Sequence, residues 1–292
     1  GLPETGLLAT REECARDLDL YHPWYIGIEE AVDAARRCEQ SAFTVSPQIT
    51  NSEGATVSVQ EAHFIAANSR GFMGGYPSSR HYVSCSVIAG KDAAMQRDDW
   101  YSTARNPAHL SSPEAIGNYA AQRALARMGA RQVKTCRVPV LFEAPLAASL
   151  IGHFVHAASG GSLYRKSSFL TNCLGARVFS PVVQISEHPH LVGGMASSLF
   201  DSDGVATRHR EVVTAGELQG YFLGVYSARK LGMQSTGHAG GIHNWLVKPN
   251  SSGKLTALLR ELQLPMLIAS HDLRFSETLA DSCLSLATDN DG

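Results

Sequence analysis

The spacing of apolar residues changes within the first third of this 292-residue chain, and the change limits the folds open to it. Ile28, Val32, Ala35 and Cys38 recur at helical spacing. From Phe43 onward, apolar residues alternate with polar ones, as they do in strands. A chain that carries both periods combines helices with sheets, so we predict an α+β fold.

Turn-forming residues divide the β-forming part into segments. Apolar positions at 43–49 and 57–64 flank the turn-like run 51–54, which predicts a hairpin. The glycine-rich run 71–77 predicts a loop, because glycine reaches backbone conformations closed to other residues. Residues 82–89 alternate again and predict another strand. The first domain is therefore predicted to be a mixed sheet with flanking helices.

Start and stop signals frame the next elements. Ser112 as an N-cap and Pro113 at the first helical position predict a helix that ends near Gly129. The apolar run 138–142 predicts a buried strand. Residues 145–157 are nearly all apolar or small, which predicts a helix buried on most sides.

The later part of the chain combines short apolar segments with glycine-rich ones. Residues 176–185 and 217–225 predict strands, and the Gly-, Ser- and His-rich section 226–244 predicts an ordered loop. We thus predict a first domain over residues 1–135 and a strand-rich second domain over residues 136–263.

Composition excludes several classes of protein. The chain has 25 basic and 27 acidic residues, whereas nucleic-acid binders carry a basic surplus, so no nucleic-acid partner is expected. No apolar run approaches the roughly 20 residues that cross a membrane, and no signal peptide is recognisable. Its six cysteines form no C-x-x-C pair and are spread thinly. We therefore expect a cytoplasmic protein without a membrane partner.

Six separate runs, in the same order, resemble the TldD/PmbA family of bacterial modulator-of-gyrase proteins, and within it the PmbA/TldE type. They are DLDLYHPW at 17–24, ITNSEGA at 49–55, GGYPSSRH at 74–81, MQRDDWY at 95–101, GGSLYRKSSF at 160–169 and YSARKLGM at 226–233. The resemblance implies a cytoplasmic peptidase built from two related subunits. The TldD-type subunit carries an H-E-x-x-x-H helix that holds zinc, and the PmbA/TldE type lacks that motif.

The helix predicted over 145–157 departs from the zinc motif. Ile151 replaces the first histidine and Gly152 replaces the glutamate, so only His156 keeps its place. A zinc hydrolase needs three protein ligands, an open position and a base for the bound water. His153 and His156 share one helical face, which leaves a two-ligand remnant as a tentative metal site. We favour a structural pair, assign no catalytic residue and expect no tightly bound metal, with the zinc in the partner.

Four cations lie within the two strongest family runs: Arg165, Lys166, Arg229 and Lys230. We predict that they pair with acids in the fold or hold the carboxylate of a peptide substrate, because the arginine fork matches a carboxylate. A nucleotide loop at 161–168 is not expected, since Arg165 stands where the second glycine of that motif belongs.

Three smaller features need an interpretation. The histidine groups His188 with His190 and His238 with His243 resemble ligand pairs, although hydrogen-bonded or solvated rings are more common in such runs. The run 201–204 has only part of a calcium-loop pattern and predicts a turn.

The tail over residues 264–292 departs from the family pattern. Its run LPMLIASHDLRF at 264–275 resembles the C-terminal segment of an ABC-transporter ATPase around the switch histidine, here His271. We expect no ATP hydrolysis, because no phosphate loop precedes it. Both domains are expected to be incomplete relative to the family.

Three functional hypotheses follow. The leading one is a PmbA/TldE-like subunit that works with a TldD-like protease subunit on peptides. The second is an independent metallopeptidase that uses His153 and His156. The third is an inactive, truncated interaction module.

Overall fold

The computed structural model shows an α+β protein, as predicted, in which two compact units alternate along the chain. It describes residues 4–132, 134–138, 140–142, 144–249 and 267–269. Of the described residues, those within 1–21, 62–78 and 144–253 form unit I, and those within 22–61, 79–143 and 254–292 form unit II. The two consecutive domains predicted over residues 1–135 and 136–263 stay a prediction, because the units are defined by contacts alone. The pattern of single elements carries no information on which core a hairpin joins.

The helices of the described residues are α1 (Arg11–Cys14), α2 (Ile28–Val45), α3 (Pro113–Ala126), α4 (Ala144–Ala158), α5 (Gly160–Tyr164) and α6 (Val225–Leu231). The strands are β1 (Ile49–Ala67), β2 (Met73–Ala89), β3 (Gln96–Ala104), β4 (Val140–Phe142), β5 (Val183–Glu187), β6 (Arg210–Thr214), β7 (Glu217–Leu218), β8 (Trp245–Pro249) and β9 (Leu267–Ala269). No helix of the described segments is long and apolar enough to cross a membrane.

Helices α2 and α3 cover one face of a sheet in unit II. Glu30 caps α2 by accepting a hydrogen bond from the Gly27 N–H at 3.0 Å. Ser112 caps α3, as predicted, by accepting from the Ala115 N–H at 3.2 Å. A Cβ atom at Gly117 would overlap the Cys38 carbonyl, so glycine permits the close approach of the two helices.

The sheet of unit II has the order β1-β2-β3. The predicted hairpin around 51–54 is wrong, because β1 runs through this segment as one strand and Phe43 and Val45 belong to α2. The predicted loop 71–77 is wrong from Met73 onward, where β2 begins. A long strand with one solvated face tolerates polar and glycine residues that resemble a turn. The actual connection is the short loop 68–72.

The outer half of the β1–β2 hairpin belongs to unit I. There Phe200 packs against Phe64, Phe72 and Tyr76, with ring centroids 5.5, 5.0 and 5.6 Å away. Phe200 is fully buried, so this aromatic cluster anchors the hairpin end in unit I.

Unit I also contains an antiparallel sheet of order β7-β6-β5-β8. The sequence pattern does not predict β6 or β8, and the strand and loop predicted over 217–225 and 226–244 are wrong at 225–231, where α6 forms. Ser227 and the flanking glycines obscure the helical pattern of α6, which ends at Gly232 in a left-handed conformation (φ 67°).

The prediction that α4 is buried on most sides is wrong. Leu146 and Leu150 are 45% and 47% exposed, and only the C-terminal half of the helix packs into the unit I core. The predicted buried strand β4 is likewise half exposed at Val140 and Phe142. It pairs in parallel with β9, whose residues fall in the predicted tail. The rest of that tail, including His271, lies outside the described residues.

Candidate functional site

The two histidines of α4, His153 and His156, occupy exposed positions. The helix turns Phe154 and Ala157 toward the core of unit I instead. The Phe154 ring meets Phe179 with centroids 5.0 Å apart, which fixes the rotation of the helix. Within the described ranges, neither histidine belongs to a group of three possible metal ligands. The tentative zinc pair therefore has no third ligand beside it in that part of the chain.

A second pair, His238 and His243, lies in the loop 232–244 and meets the buried carboxylate of Glu187. Glu187 is the last residue of β5, and its side chain is fully buried. One possible ligand atom from each residue lies within 4.8 Å of the others, and no other such trio occurs among the residues that the structure describes. Both histidines are candidates from the sequence alone, whereas Glu187 carries no motif that marks it.

Both carboxylate oxygens of Glu187 accept hydrogen bonds. His238 Nε2 lies 2.9 and 3.0 Å from the two oxygens, and it carries the proton because a carboxylate only accepts. The His243 N–H donates to Oε1 at 2.9 Å, and Arg210 Nε donates to Oε2 at 2.8 Å. On the other side of its ring, His238 Nδ1 meets the Thr236 hydroxyl at 2.9 Å.

The partners of Glu187 decide its charge. Burial alone would raise the pKa of Glu187, but the hydrogen bond from His238 and the charges of His238 and Arg210 hold that pKa well below its usual range. Burial lowers the pKa of His243, and this effect exceeds the opposite effect of the Glu187 charge. At neutral pH, Glu187 is therefore an ionised carboxylate paired with Arg210, beside a neutral His243.

This arrangement does not fit a zinc ion. Zinc ligands direct their lone pairs at a common centre, whereas here His238 Nε2 and the Glu187 oxygens point at each other. His243 Nε2 is turned to the Gly237 carbonyl at 3.1 Å. The Arg210 guanidinium, in contact with the carboxylate, would repel a dication. We interpret the cluster as a buried ion pair that holds the histidine loop against the sheet.

The pairing of β5 with β6 positions the ion pair. Glu187 and Arg210 lie directly opposite each other across the two antiparallel strands. Arg210 Nη1 also donates to the Tyr221 carbonyl at 2.8 Å, and the guanidinium lies 5.0 Å from the centroid of the Phe222 ring. The cluster thus ties the sheet to the segment that leads into α6.

A cavity of about 360 Å³ adjoins this cluster in unit I. His238 forms part of its wall, so the buried ion pair fixes one side of the cavity. The lining otherwise consists of small and apolar residues from the end of α4, the start of α5 and the segment 222–242: Val155, Ser159, Gly160, Gly161, Phe222, Gly224, Ser227, Gly241 and Ile242.

The four predicted peptide-binding cations are all exposed and lie at the ends of α5 and α6. The rings of Tyr164 and Tyr226 meet edge to face with centroids 5.7 Å apart. The Arg165 guanidinium carbon lies 5.4 Å from the Tyr164 ring centroid, and Lys230 Nζ lies 5.7 Å from that of Tyr226. Two cations far apart in sequence therefore share one surface. Lys166 and Arg229 are their neighbours in the chain.

The remaining predicted features have structural partners. His188 Nε2 meets the Ser186 hydroxyl at 2.8 Å, and His190 Nε2 meets Thr207 at 3.0 Å. The turn predicted at 201–204 is confirmed, because Asp201 accepts from the Asp203 N–H at 2.9 Å.

Two family models match the chain. A model described as the PmbA/TldA metallopeptidase central domain matches residues 21–128, and one described as the C-terminal domain of the same family matches residues 135–276. The second match extends past residue 263, where the sequence analysis ended the family pattern. The ABC-ATPase resemblance of the tail stays a prediction.

Individual proteins are similar to the chain. It is 45% identical over 268 residues to a Haemophilus influenzae protein named metalloprotease PmbA homolog, over 92% of this chain and 59% of that protein. It is 44% identical over 233 residues to metalloprotease PmbA of Escherichia coli O157:H7, over 80% of this chain and 52% of that protein. The chain thus spans little more than half the length of these relatives.

Solved structures share its fold. A Bacteroides thetaiotaomicron structure whose name refers to modulation of DNA gyrase matches with a TM-score of 0.80 at 23% identity, over 89% of this chain and 58% of that one. TldE from Thermococcus kodakarensis matches with a TM-score of 0.65 at 18% identity, over 92% of this chain and 62% of that one.

Proposed function

Because this chain belongs to the PmbA/TldA metallopeptidase family, we propose that it acts as the PmbA/TldE-like subunit of a two-subunit peptidase in the cytoplasm. The observation that carries the proposal is the pair of histidine groups in unit I. His153 and His156 are exposed without a third described ligand, and His238 and His243 face a carboxylate already paired with Arg210. The family name implies a metal, and these residues do not supply a site for it.

In this proposal a TldD-like partner holds the zinc and the base that activates water. The bound metal would supply a polarised water and a Lewis acid for peptide-bond hydrolysis. This chain contributes a binding surface for the peptide. Arg165, Lys166, Arg229 and Lys230 attract and orient the peptide, and the cavity beside α5 accepts part of it.

Coexpression with a TldD-like chain that has an intact H-E-x-x-x-H helix tests the proposal. We expect a stable complex with one zinc per pair, and peptide hydrolysis by the complex but not by this chain alone. Elemental analysis and a quenched fluorescent peptide measure the two properties. The matched variants are His156→Ala in this chain, expected to keep the zinc, and a histidine-to-alanine change in the partner motif, expected to lose it.

Two outcomes would overturn the proposal. Stoichiometric zinc in this chain alone that disappears in His156→Ala would establish an independent metallopeptidase. Absence of a complex in a pull-down with the TldD-like chain, together with no hydrolysis by the mixture, would favour the inactive interaction module.

A further inference from the structure

The helices around the cavity belong to parts of the chain without acidic residues. Neither residues 144–186 nor residues 218–249 contain an aspartate or a glutamate, although they contain six lysines and arginines: Arg165, Lys166, Arg177, Arg229, Lys230 and Lys248. Helices α4, α5 and α6 all lie within these two segments. The charged side chains that these segments contribute are therefore all positive, which favours an anion. A carboxylate from outside them, Asp203, accepts from the Val225 N–H at 3.0 Å at the start of α6.

Arg165 is placed at the edge of the cavity. Gly161 lines the cavity, and a Cβ atom built on it would lie 3.4 and 3.5 Å from the two terminal nitrogens of Arg165. The described ion pairs do not include Arg165, whose only described polar contact is a long one to the Tyr164 hydroxyl at 3.4 Å. A guanidinium that stacks on a ring keeps its fork of N–H donors available for a carboxylate.

The interior of the cavity differs from its edge. Val155, Phe222 and Ile242 give it apolar walls. Cavities of roughly 300 Å³ and more bind organic ligands when apolar walls combine with a few placed polar groups. An apolar side chain fits the interior while a negative charge fits the edge.

We propose that this cavity binds the C-terminal residue of a peptide, with the free α-carboxylate on Arg165 and an apolar side chain inside the cavity. The inference rests on the proposed peptidase function and specifies its substrate class. Lys230, on the same tyrosine pair, strengthens the attraction of the carboxylate. A nucleic acid is the less favoured ligand, because the whole chain has a net charge of -2 and lacks the basic surplus of nucleic-acid binders.

The test uses fluorescence anisotropy with the full chain, alone and in complex with the TldD-like subunit. The probes are two hexapeptides labelled at the N-terminus and ending in leucine, one with a free carboxylate and one amidated. We expect amidation to weaken binding about tenfold or more, since hydrogen bonds between charged groups are the strong ones. Arg165→Gln should weaken binding of the peptide with the free carboxylate by a similar factor. It should leave binding of the amidated peptide unchanged.

Two further variants separate the edge from the interior. Val155→Phe should weaken binding of a peptide ending in leucine more than binding of one ending in glycine, because the larger side chain narrows the cavity that Val155 lines. Arg177→Gln is the matched control, since Arg177 is 61% exposed in the same acid-free segment but pairs with Glu217. It should bind both peptides as the unchanged chain does, and circular dichroism checks that each variant is folded.

Equal affinity for the two hexapeptides would overturn the inference, as would equal weakening of both by Arg165→Gln. Failure of the peptide with the free carboxylate to bind either the chain or the complex would do the same. Competition by a single-stranded oligonucleotide at equal affinity would also overturn it, in favour of a general anion surface. These failures differ from a failure of the proposed function, which shows itself as the absence of an active complex with the TldD-like chain.

Discussion

The two histidine pairs of unit I have similar sequence signals but opposite environments. His153 and His156 are exposed on α4, whereas His238 and His243 are buried against Glu187. The first pair has the spacing of a metal site without a third described ligand. The second has the third ligand but also Arg210, which neutralises it. Spacing along a helix therefore says less about metal binding than the charge that surrounds the candidate ligands.

Removal of the Glu187 carboxylate should have the largest effect. In Glu187→Ala, the guanidinium of Arg210 and the His238 ring lose their buried partner, and we expect the free energy of unfolding to fall by about 3–5 kcal/mol. Urea unfolding measures the change. The control is Glu211→Ala on the exposed face of the same sheet, with an expected loss under about 1 kcal/mol. A loss of similar size in both variants would contradict a buried ion pair.

Removal of Arg210 should allow Glu187, His238 and His243 to bind a metal ion. In Arg210→Met, the guanidinium charge disappears, and the Glu187 carboxylate keeps only its hydrogen bonds from His238 and the His243 N–H. We expect added zinc to raise the melting temperature of this variant, by a stabilisation of about 2.7 kcal/mol at a zinc concentration one hundred times Kd. The double variant Glu187→Gln with Arg210→Met should show no such shift. Zinc stabilisation of the unchanged chain at the same concentration would show that Arg210 does not block the site.

Acid should lower the free energy of unfolding in two steps, the first at His243 and the second at Glu187. The pKa of His243 is below its ordinary value of 6.5 in the folded chain, so the unfolded chain takes up a proton first and stability falls as the pH drops below about 6.5. Glu187 has a depressed pKa, so its contribution is complete above the ordinary value of 4.5 and is lost as the pH falls below it.

Urea unfolding from pH 7.5 to pH 5 measures the histidine step. Each proton taken up changes stability by about 1.4 kcal/mol per pH unit at most. We expect His243→Gln to reduce this slope, with His153→Gln as the control on α4. An unchanged slope in His243→Gln would assign the acid sensitivity to other groups.

The smallest effect should come from the exposed pair. His153→Ala and His156→Ala replace side chains that face solvent, so each should change the free energy of unfolding by no more than about 0.5 kcal/mol. The same urea titration detects the change. A loss of more than about 2 kcal/mol is typical of a buried side chain. Such a loss would show that other residues cover these two histidines.

Sequence reasoning succeeded where local signals decide the structure. Ser112 and Pro113 located the start of α3, and the apolar run located α4. It failed at β1, since the run 51–54 has turn residues that a half-solvated strand also tolerates. The candidate site was only half predictable. His238 and His243 were visible in the sequence, but Glu187 and Arg210 become partners only through the register of β5 and β6.

His238 belongs to two structures at once, the buried ion pair and the cavity wall. An insertion or deletion between His238 and His243 would move one of them off Glu187, so this stretch of loop has a fixed length. Substitutions at Val155 or Ile242 can therefore change which side chain the cavity accepts. Changes in loop length would instead displace His238 from the cavity wall. For anyone who wishes to redesign this cavity, the side chains of the lining are adjustable and the loop is not.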